Sequence, residues 1–332
     1  MATEPGTREP PSTAGSSFVA PCLAEIDKER IEDLLARDHF FWLDLTEPDD
    51  EDVAWLGERF GLHPLAVEDT ISFGQRPKLD EYGDYIFMVF YGAREHVDGD
   101  TEPLREVHMF ISGQYLITVH RDPLPALDEQ RAKMDGQVIH SEQFVLYRVL
   151  DSLTDSFFPL LAKMDDGIDE LEESIVASPT GEQLQRLFGL KRKLVAMRKV
   201  VTPQRDIFAR SIDEIAALPG LTLDQRDYFR DVYDHLIRIS DLIDTYRDLL
   251  SSATDLYLST VGNRQNEVMK QLAVVGTIFL PLSFITGFFG MNFGWFVSKG
   301  IAPTWTFWVL GVGSMALTCV ALLAFFKRKG WL

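Results

Sequence analysis

Residues Asn266 to Asn292 read NEVMKQLAVVGTIFLPLSFITGFFGMN, and their reading decides the fold. From Leu272 to Phe289 the run carries no charge, and at about 1.5 Å of rise per residue it is long enough to cross most of a hydrocarbon core. Nothing between Asn263 and Leu272 breaks a helix, so the sequence predicts one helix that leaves water, enters a membrane and stops at Gly290-Met291-Asn292. A second uncharged run, Ile301 to Phe326, follows a short connection and ends in Lys327-Arg328-Lys329. The two runs predict a tight membrane hairpin with both chain ends on one side.

Within the first span Met269, Ala273, Gly276, Leu280, Ser283, Gly287 and Gly290 alternate by four and three, which places them on one helical face. The face is mostly small. Small residues let helices pack closely in lipid; repeated around a symmetry axis, the same face leaves a lumen lined by backbone, hydroxyl and amide groups. The amides at its two ends, Asn266 and Asn292, favour the lumen. Pro281 removes one helical hydrogen bond, which membrane helices tolerate when neighbouring groups satisfy the freed carbonyl.

Three segments, Asn266-Glu267-Val268-Met269-Lys270, Phe279-Leu280-Pro281-Leu282 and Gly287-Phe288-Phe289-Gly290-Met291-Asn292-Phe293, resemble the CorA family of divalent-metal transporters, whose signature is the Gly-Met-Asn tripeptide ending the penultimate span. A bare tripeptide is weak evidence. Its place after a span, before a short loop and a last span with a basic end, makes the resemblance specific. Leu62-His63-Pro64-Leu65-Ala66-Val67-Glu68-Asp69 and Gln75-Arg76-Pro77-Lys78 also resemble that family's cytoplasmic domain, and the likeness covers about residues 40 to 332.

Composition agrees with a membrane-anchored acidic body. From Asn263 onward six basic residues face Glu267 alone, a balance of +5; the chain as a whole is at −19, so the first 262 residues carry −24. Such a body excludes nucleic acid as a partner, since phosphates need Lys and Arg, and it suits a protein that meets cations. Most of these carboxylates individually serve solubility. Two cysteines, Cys22 and Cys319, provide no disulfide framework. The opening MATEPGTREPPSTAGSS has no apolar segment and reads as a disordered tail rather than a secretory signal. Arg264, Lys270 and Lys327 to Lys329, against Lys299 in the connection, place the body and both termini in the cytoplasm by the positive-inside bias.

Taken in order, Phe40 to Leu45 predicts a strand and Glu47-Pro48-Asp49-Asp50 an acidic helix start for Val53 to Phe60. Tyr85 to Tyr91, Arg105 to Ile111 and Gln114 to His120 predict further strands, with a hairpin at Ser112-Gly113. From Ser141 three helices are expected, broken at Ser178-Pro179-Thr180-Gly181 and Leu218-Pro219-Gly220. The first carries Asp165, Asp166, Asp169, Glu170, Glu172 and Glu173, and the second Lys191, Arg192, Lys193, Arg198 and Lys199, so their antiparallel pairing is expected to neutralise both. In the third, Phe229, Val232, Leu236, Ile239, Ile243, Tyr246, Leu250, Ala253 and Tyr257 form a heptad seam that calls for partner helices from parallel copies.

The fold class is thus an α/β cytoplasmic domain with a long stalk helix and two C-terminal transmembrane helices. The expected divisions are a tail over 1–20, the α/β domain over 21–138, helical arms and stalk over 139–265, and the stalk end with the first span over 266–290. An extracytoplasmic loop over 291–302, the second span over 303–326 and a basic tail over 327–332 complete it.

No phosphate loop, His-Glu-x-x-His or paired-cysteine motif occurs, so neither ATP-driven transport nor an enzyme is expected, and no organic cofactor. What the resemblance implies is a homopentameric Mg²⁺ channel in the inner membrane, with Co²⁺ or Ni²⁺ as further cargo, in which Mg²⁺ both passes and regulates. It implies a selectivity filter at Gly290, Met291 and Asn292, whose amide carbonyls accept from the ion's water shell. Asn266, Met269, Ala273, Gly276, Leu280, Ser283 and Gly287 would line the path, with Met269 and Leu280 as apolar constrictions. It implies regulatory carboxylates between neighbouring cytoplasmic domains, with Glu68 and Asp69 on one side and Asp231 on the other, and Asp151 and Asp155 as further candidates. The connection Phe293 to Gly300 departs from many members in having no Asp or Glu, which keeps a zinc transporter of the same superfamily open. A membrane-tethered acidic sensor or scaffold is the reading from a different class.

Overall fold

The structure is a computed structural model and describes residues 18–94, 103–139, 142–216, 226–291, 294, 298–299 and 304–331. Packing divides the chain into two units, residues 1–171 with 184–253, and residues 172–183 with 254–332.

In the first unit a six-stranded sheet runs in the order β2 (Cys22–Leu23), β3 (Phe41–Thr46), β7 (Tyr115–His120), β6 (Leu104–Ile111), β5 (Ile86–Ala93), β4 (Lys78–Glu81). The β2–β3 and β3–β7 pairs are parallel and the rest antiparallel. Between β2 and β3 lies α1 (Lys28–Ala36); α2 (Asp50–Phe60) and α3 (Pro64–Ser72) follow β3. Their Ile31, Leu34, Leu56 and Ala66 share one buried cluster with Phe41, Leu43, Leu45, Phe87, Val89, Phe110, Ile117 and Val119. The alternate strand residues, among them Trp42, Met88 and Phe90, are buried as well. Helix α5 (Glu142–Asp155) packs against β5, and Phe90 meets Phe208 edge-on at 6.0 Å. A sheet covered on both faces explains why its strands read as nearly continuous apolar runs.

Local chemistry sets the helix ends. Asp49 accepts the Asp52 N–H at 2.8 Å to start α2, and Gly61 ends it at φ 63°. Buried Asp44 on β3 accepts from Thr118 at 2.6 Å, His120 Nε2 at 3.2 Å and Arg131 of α4 (Pro125–Met134) at 3.0 Å, so this interior charge is fully partnered. His120 also donates through Nδ1 to the Asp122 carbonyl; burial opposes its charge, but the Asp44 carboxylate, with the Asp122 carbonyl and the Asp128 charge, outweighs burial and raises its pKa.

Helix α6 (Phe157–Ala177) follows α5, and α7 (Gly181–Ala216) follows α6. The break at residues 178–180 is as the sequence predicts, whereas the first expected helix is two, parted at Ser156. The expected break at Leu218-Pro219-Gly220 lies outside the described residues. The expected neutralisation of α6 by α7 has one cross-link among the described residues, Arg186 to Glu170 at 3.6 Å, and Arg198 pairs with Asp244 instead.

Helix α8 runs from Arg226 to Phe289 without interruption at Pro281. Its seam from Phe229 to Ala253 is buried within one chain, every position at 7% exposure or less. Tyr228 packs on Phe144 and Tyr147, Phe158 on His235, and Arg205 reaches Ser240. The seam is therefore covered by the chain's own α5, α6 and α7, and the expectation that it calls for other copies is corrected.

The remaining short strands have no signal in the sequence. Strand β1 (Phe18–Val19) pairs antiparallel with β8 (Val138–Ile139), so the expected tail over 1–20 gives up its last residues to the folded body. Residues 1–17 lie outside the described residues. Cys22 and Cys319 are free thiols.

In the second unit the α8 span faces a second helix made of α9 (Thr304–Thr306), a π-helical stretch (Phe307–Gly313) and α10 (Ser314–Arg328). Ile285, Thr286, Phe289 and Gly290 line a cavity against Phe307, Gly311, Val312 and Met315. Both helices are long and apolar enough to cross a membrane. Near the stalk, Arg264 donates to Ser178 Oγ at 3.0 Å.

Candidate functional site

The span of α8 presents two kinds of face. Lys270, Val274, Ile278, Pro281, Leu282, Ile285 and Phe289 are wholly or partly covered, at steps of three and four that make one stripe. That stripe includes residues lining the cavity against the second span. Asn266, Met269, Ala273, Gly276, Leu280, Ser283, Gly287 and Gly290 are all exposed in the single chain, with Met269 at 58% and Leu280 at 76%. Phe279, Phe284 and Val275 are exposed too, but they are bulky and suit lipid tails. Among the described residues, then, the small-sided face from Asn266 to Gly287 is left uncovered by its own chain, while Gly290 at its end borders the cavity against the second span.

At the end of that face the helix tightens. Gly290 N–H donates to the Thr286 carbonyl at 3.0 Å and Met291 N–H to Phe288 at 3.3 Å. A Cβ on Gly290 would sit 3.2 Å from the Thr286 carbonyl oxygen, so this turn favours glycine. Met291 is exposed. Asn292, the residue on which the filter assignment turns, lies outside the described residues.

A second constellation forms in the first unit. Asp151 and Asp155 are four apart on α5, Asp231 and His235 four apart on α8, so each pair shares a helical face. His235 Nδ1 lies 3.1 Å from Asp155 and 3.7 Å from Asp151, and Nε2 3.9 Å from Asp231. Tyr147 donates to Asp231 at 3.1 Å, and Arg148 contacts Asp151 at 3.4 Å. The ligand atoms of Asp151, Asp155 and His235 lie within 4.8 Å of one another, the spacing of a metal-binding group. His235 Nδ1 is enclosed yet makes no aligned hydrogen bond, although carboxylates stand beside it. An imidazole lone pair between two carboxylates is a fitting donor set for a divalent cation. Burial, and then the neighbouring Asp155 charge, raise the pKa of Asp151; burial, and then the Asp151 and Asp231 carboxylates, raise that of Tyr147.

Glu68 and Asp69 are elsewhere on α3. Asp69 is held by Lys78 at 2.7 Å, which also binds Asp80 at 2.7 Å, and Glu68 is exposed with no ion pair among the described residues. The end of α3 is pinned from below: Glu106 accepts from Gly74 N–H at 2.7 Å, Gln75 N–H at 2.9 Å and His108 Nε2 at 2.6 Å, while His108 Nδ1 meets Thr70 at 3.2 Å. Burial alone would raise the Glu106 pKa; these donors hold it below the usual range. Among the described residues of one chain, then, Asp231 meets Tyr147 and His235, beside the Asp151 and Asp155 pair, and has no contact with Glu68 or Asp69. The sequence reading passed over His235, though the Asp231-x-x-x-His235 spacing facing Asp151-x-x-x-Asp155 was the available signal.

Comparison with known proteins agrees along most of the chain. A family model described as CorA-like Mg²⁺ transporter protein matches residues 37–328. The cobalt/magnesium transport protein CorA of Thermotoga maritima is 34% identical over 296 residues, which is 88% of this chain and 83% of that protein. The solved structure of the complete CorA magnesium transporter from Methanocaldococcus jannaschii superposes with a TM-score of 0.74 at 25% identity, covering 88% of this chain and 91% of that one. A ZntB cytoplasmic domain from Vibrio parahaemolyticus shares the fold at TM-score 0.54 and 16% identity, over 68% of this chain and 88% of its own. The chain belongs to the CorA-like Mg²⁺ transporter family.

Proposed function

We propose that this protein is a channel-like transporter that admits Mg²⁺, with Co²⁺ or Ni²⁺ as further cargo, along a path built from the small-sided face of α8 in five copies around an axis. The observation that carries the reading is that this mostly small face, from Asn266 to Gly287, is left uncovered by the described residues of its own chain. A tether needs only apolarity, so it gives no reason for Gly276, Ser283 and Gly287 to share a face. Transport rather than catalysis is the activity.

The path begins at Gly290, Met291 and Asn292, where neutral oxygens hold a hydrated Mg²⁺ weakly enough to release it. Ser283, Gly287 and Gly276 leave room below, and Leu280 and Met269 narrow it with apolar side chains before Asn266. No ATP is required: a divalent ion gains about 4.6 kcal/mol per 100 mV of inside-negative potential, twice the single-charge value. The body and both termini lie in the cytoplasm, and the membrane is the cytoplasmic one.

Internal Mg²⁺ closes the path by occupying carboxylates of the cytoplasmic body. Asp151, Asp155 and His235 supply one donor set within a chain, with Asp231 beside the other nitrogen of the His235 ring, while Glu68 and Asp69 face donors of a neighbouring copy. Occupancy neutralises carboxylates that otherwise repel, and so favours the packing that holds α8 shut.

Uptake into sealed liposomes under an imposed inside-negative potential tests this reading. Potential-driven Mg²⁺ entry is expected; Zn²⁺ entry without Mg²⁺ entry would replace the cargo, and entry of neither would leave only an anchor.

A further inference from the structure

The turn after α10 is a built structure rather than a solvated basic run. Gly330 adopts φ 67°, Gly330 N–H donates to Lys327 at 3.1 Å and Trp331 N–H to Phe326 at 2.9 Å. Those are the two bonds of a Schellman motif, and its customary apolar contact is present, with the Trp331 ring stacked on Phe326 at 5.8 Å and 16°. The left-handed residue turns its carbonyl outward. Lys270 Nζ of α8 donates to that carbonyl at 2.9 Å and stands 6.0 Å from the centre of the Trp331 ring.

Lys270 begins the covered stripe that continues through Val274, which is 6% exposed. Met269 is the preceding residue, about 100° away around the helix, and is 58% exposed. Fixing Lys270 against the second span therefore fixes the direction of Met269. Lys327, Arg328 and Lys329 are exposed and their side chains are not part of these contacts. A cation that served only as surface charge would not need an aromatic ring and a left-handed turn aimed at it.

We propose that Lys270, Gly330 and Trp331 form a clasp that sets the rotation of α8 and so holds Met269 across the ion path. The three are positioning residues, and their role rests on the reading of Met269 as a constriction. Releasing the clasp frees the stalk end of the span to rotate and loosens that constriction.

Lys270→Met, Trp331→Ala and the double variant are compared in liposomes at internal Mg²⁺ sufficient to shut the wild-type protein. Each single change is expected to raise residual Mg²⁺ flux about five-fold, the size of one cation–π contact and its hydrogen bond, and the double change to add nothing further. Lys270→Arg, which keeps cation and donor, is expected to behave as wild type. A silent Trp331→Ala, or two effects that multiply, would overturn the clasp and leave Lys270 as a mere surface charge. Amide exchange over 266–274 separates this proposal from the channel reading. It is expected to quicken in Trp331→Ala; unchanged exchange overturns the clasp whatever the flux. Absence of Mg²⁺ entry in the wild-type protein overturns the channel reading instead.

Discussion

Helix α8 carries the same spacing of threes and fours through two surroundings. From Phe229 to Leu250 the spaced residues are large and apolar, and they and Ala253 are covered by α5, α6 and α7 of the same chain. From Met269 to Gly287 the spaced residues are mostly small, and nothing among the described residues of the chain covers them. Periodicity locates a face, but residue size says what the face is for: bulk fills a core, and its absence leaves space. The first seam stabilises the subunit. On the proposed reading, the second is where neighbouring copies and the ion meet.

The largest effects should separate these two regions. Gly287→Leu is expected to cut Mg²⁺ flux by about 100-fold or more, because the added bulk narrows the path. The soluble body of that variant should melt as before, since a Cβ there meets no side chain of its own chain. Leu236→Ala in the covered seam should do the reverse, costing about 2–5 kcal/mol of stability with any surviving protein conducting normally. Thermal unfolding and flux on both variants would decide it, and equal damage to both properties in either variant would erase the distinction.

Next in size is the carboxylate cluster. Asp231→Asn is expected to raise the internal Mg²⁺ needed for closure about ten-fold, the loss expected of one charged ligand. An unchanged closing concentration would remove Asp231 from the regulatory set. The raised pKa of Asp151 gives the pH dependence its sign: protons compete with the ion, so closure should weaken as pH falls through that raised value. Asp151→Asn should flatten this dependence, which titration of closure at several pH values reads directly.

The smallest expected effect lies in the sheet. His120 has a raised folded pKa, so its stabilisation is fully present below its ordinary value and lost as pH rises through the folded one. His120→Gln is therefore expected to cost about 1–2 kcal/mol at acidic pH, with the difference from wild type shrinking as pH rises. Denaturant melts across that range measure it.

Much of this was legible in the sequence. Strands β3, β5, β6 and β7 are long enough to show apolar runs bounded by turn residues, and the span shows its length and its small face directly. The two-residue strands β1, β2 and β8 carry no period, and their pairing, such as Cys22 with Trp42, depends on distant partners. The break at Ser156 does have a local mark, since Pro159 cannot donate to the Asp155 carbonyl and crowds it, and Ser156 Oγ adds a tertiary contact by accepting the Ala93 N–H at 2.7 Å. The heptad seam was visible, but not that the same chain would fill it. Asp231 was a candidate by resemblance, whereas His235 joins the cluster only when α5 and α8 are placed side by side.

The central claim is that the uncovered face of α8 lines a wet path. Cysteine at Ser283 or at Phe284, in a background without Cys22 and Cys319, can be probed with a charged, membrane-impermeant thiol reagent while Mg²⁺ flux is recorded. Rapid block at Ser283→Cys with no reaction at Phe284→Cys is expected. Reaction at neither position, or at Phe284→Cys alone, would contradict it.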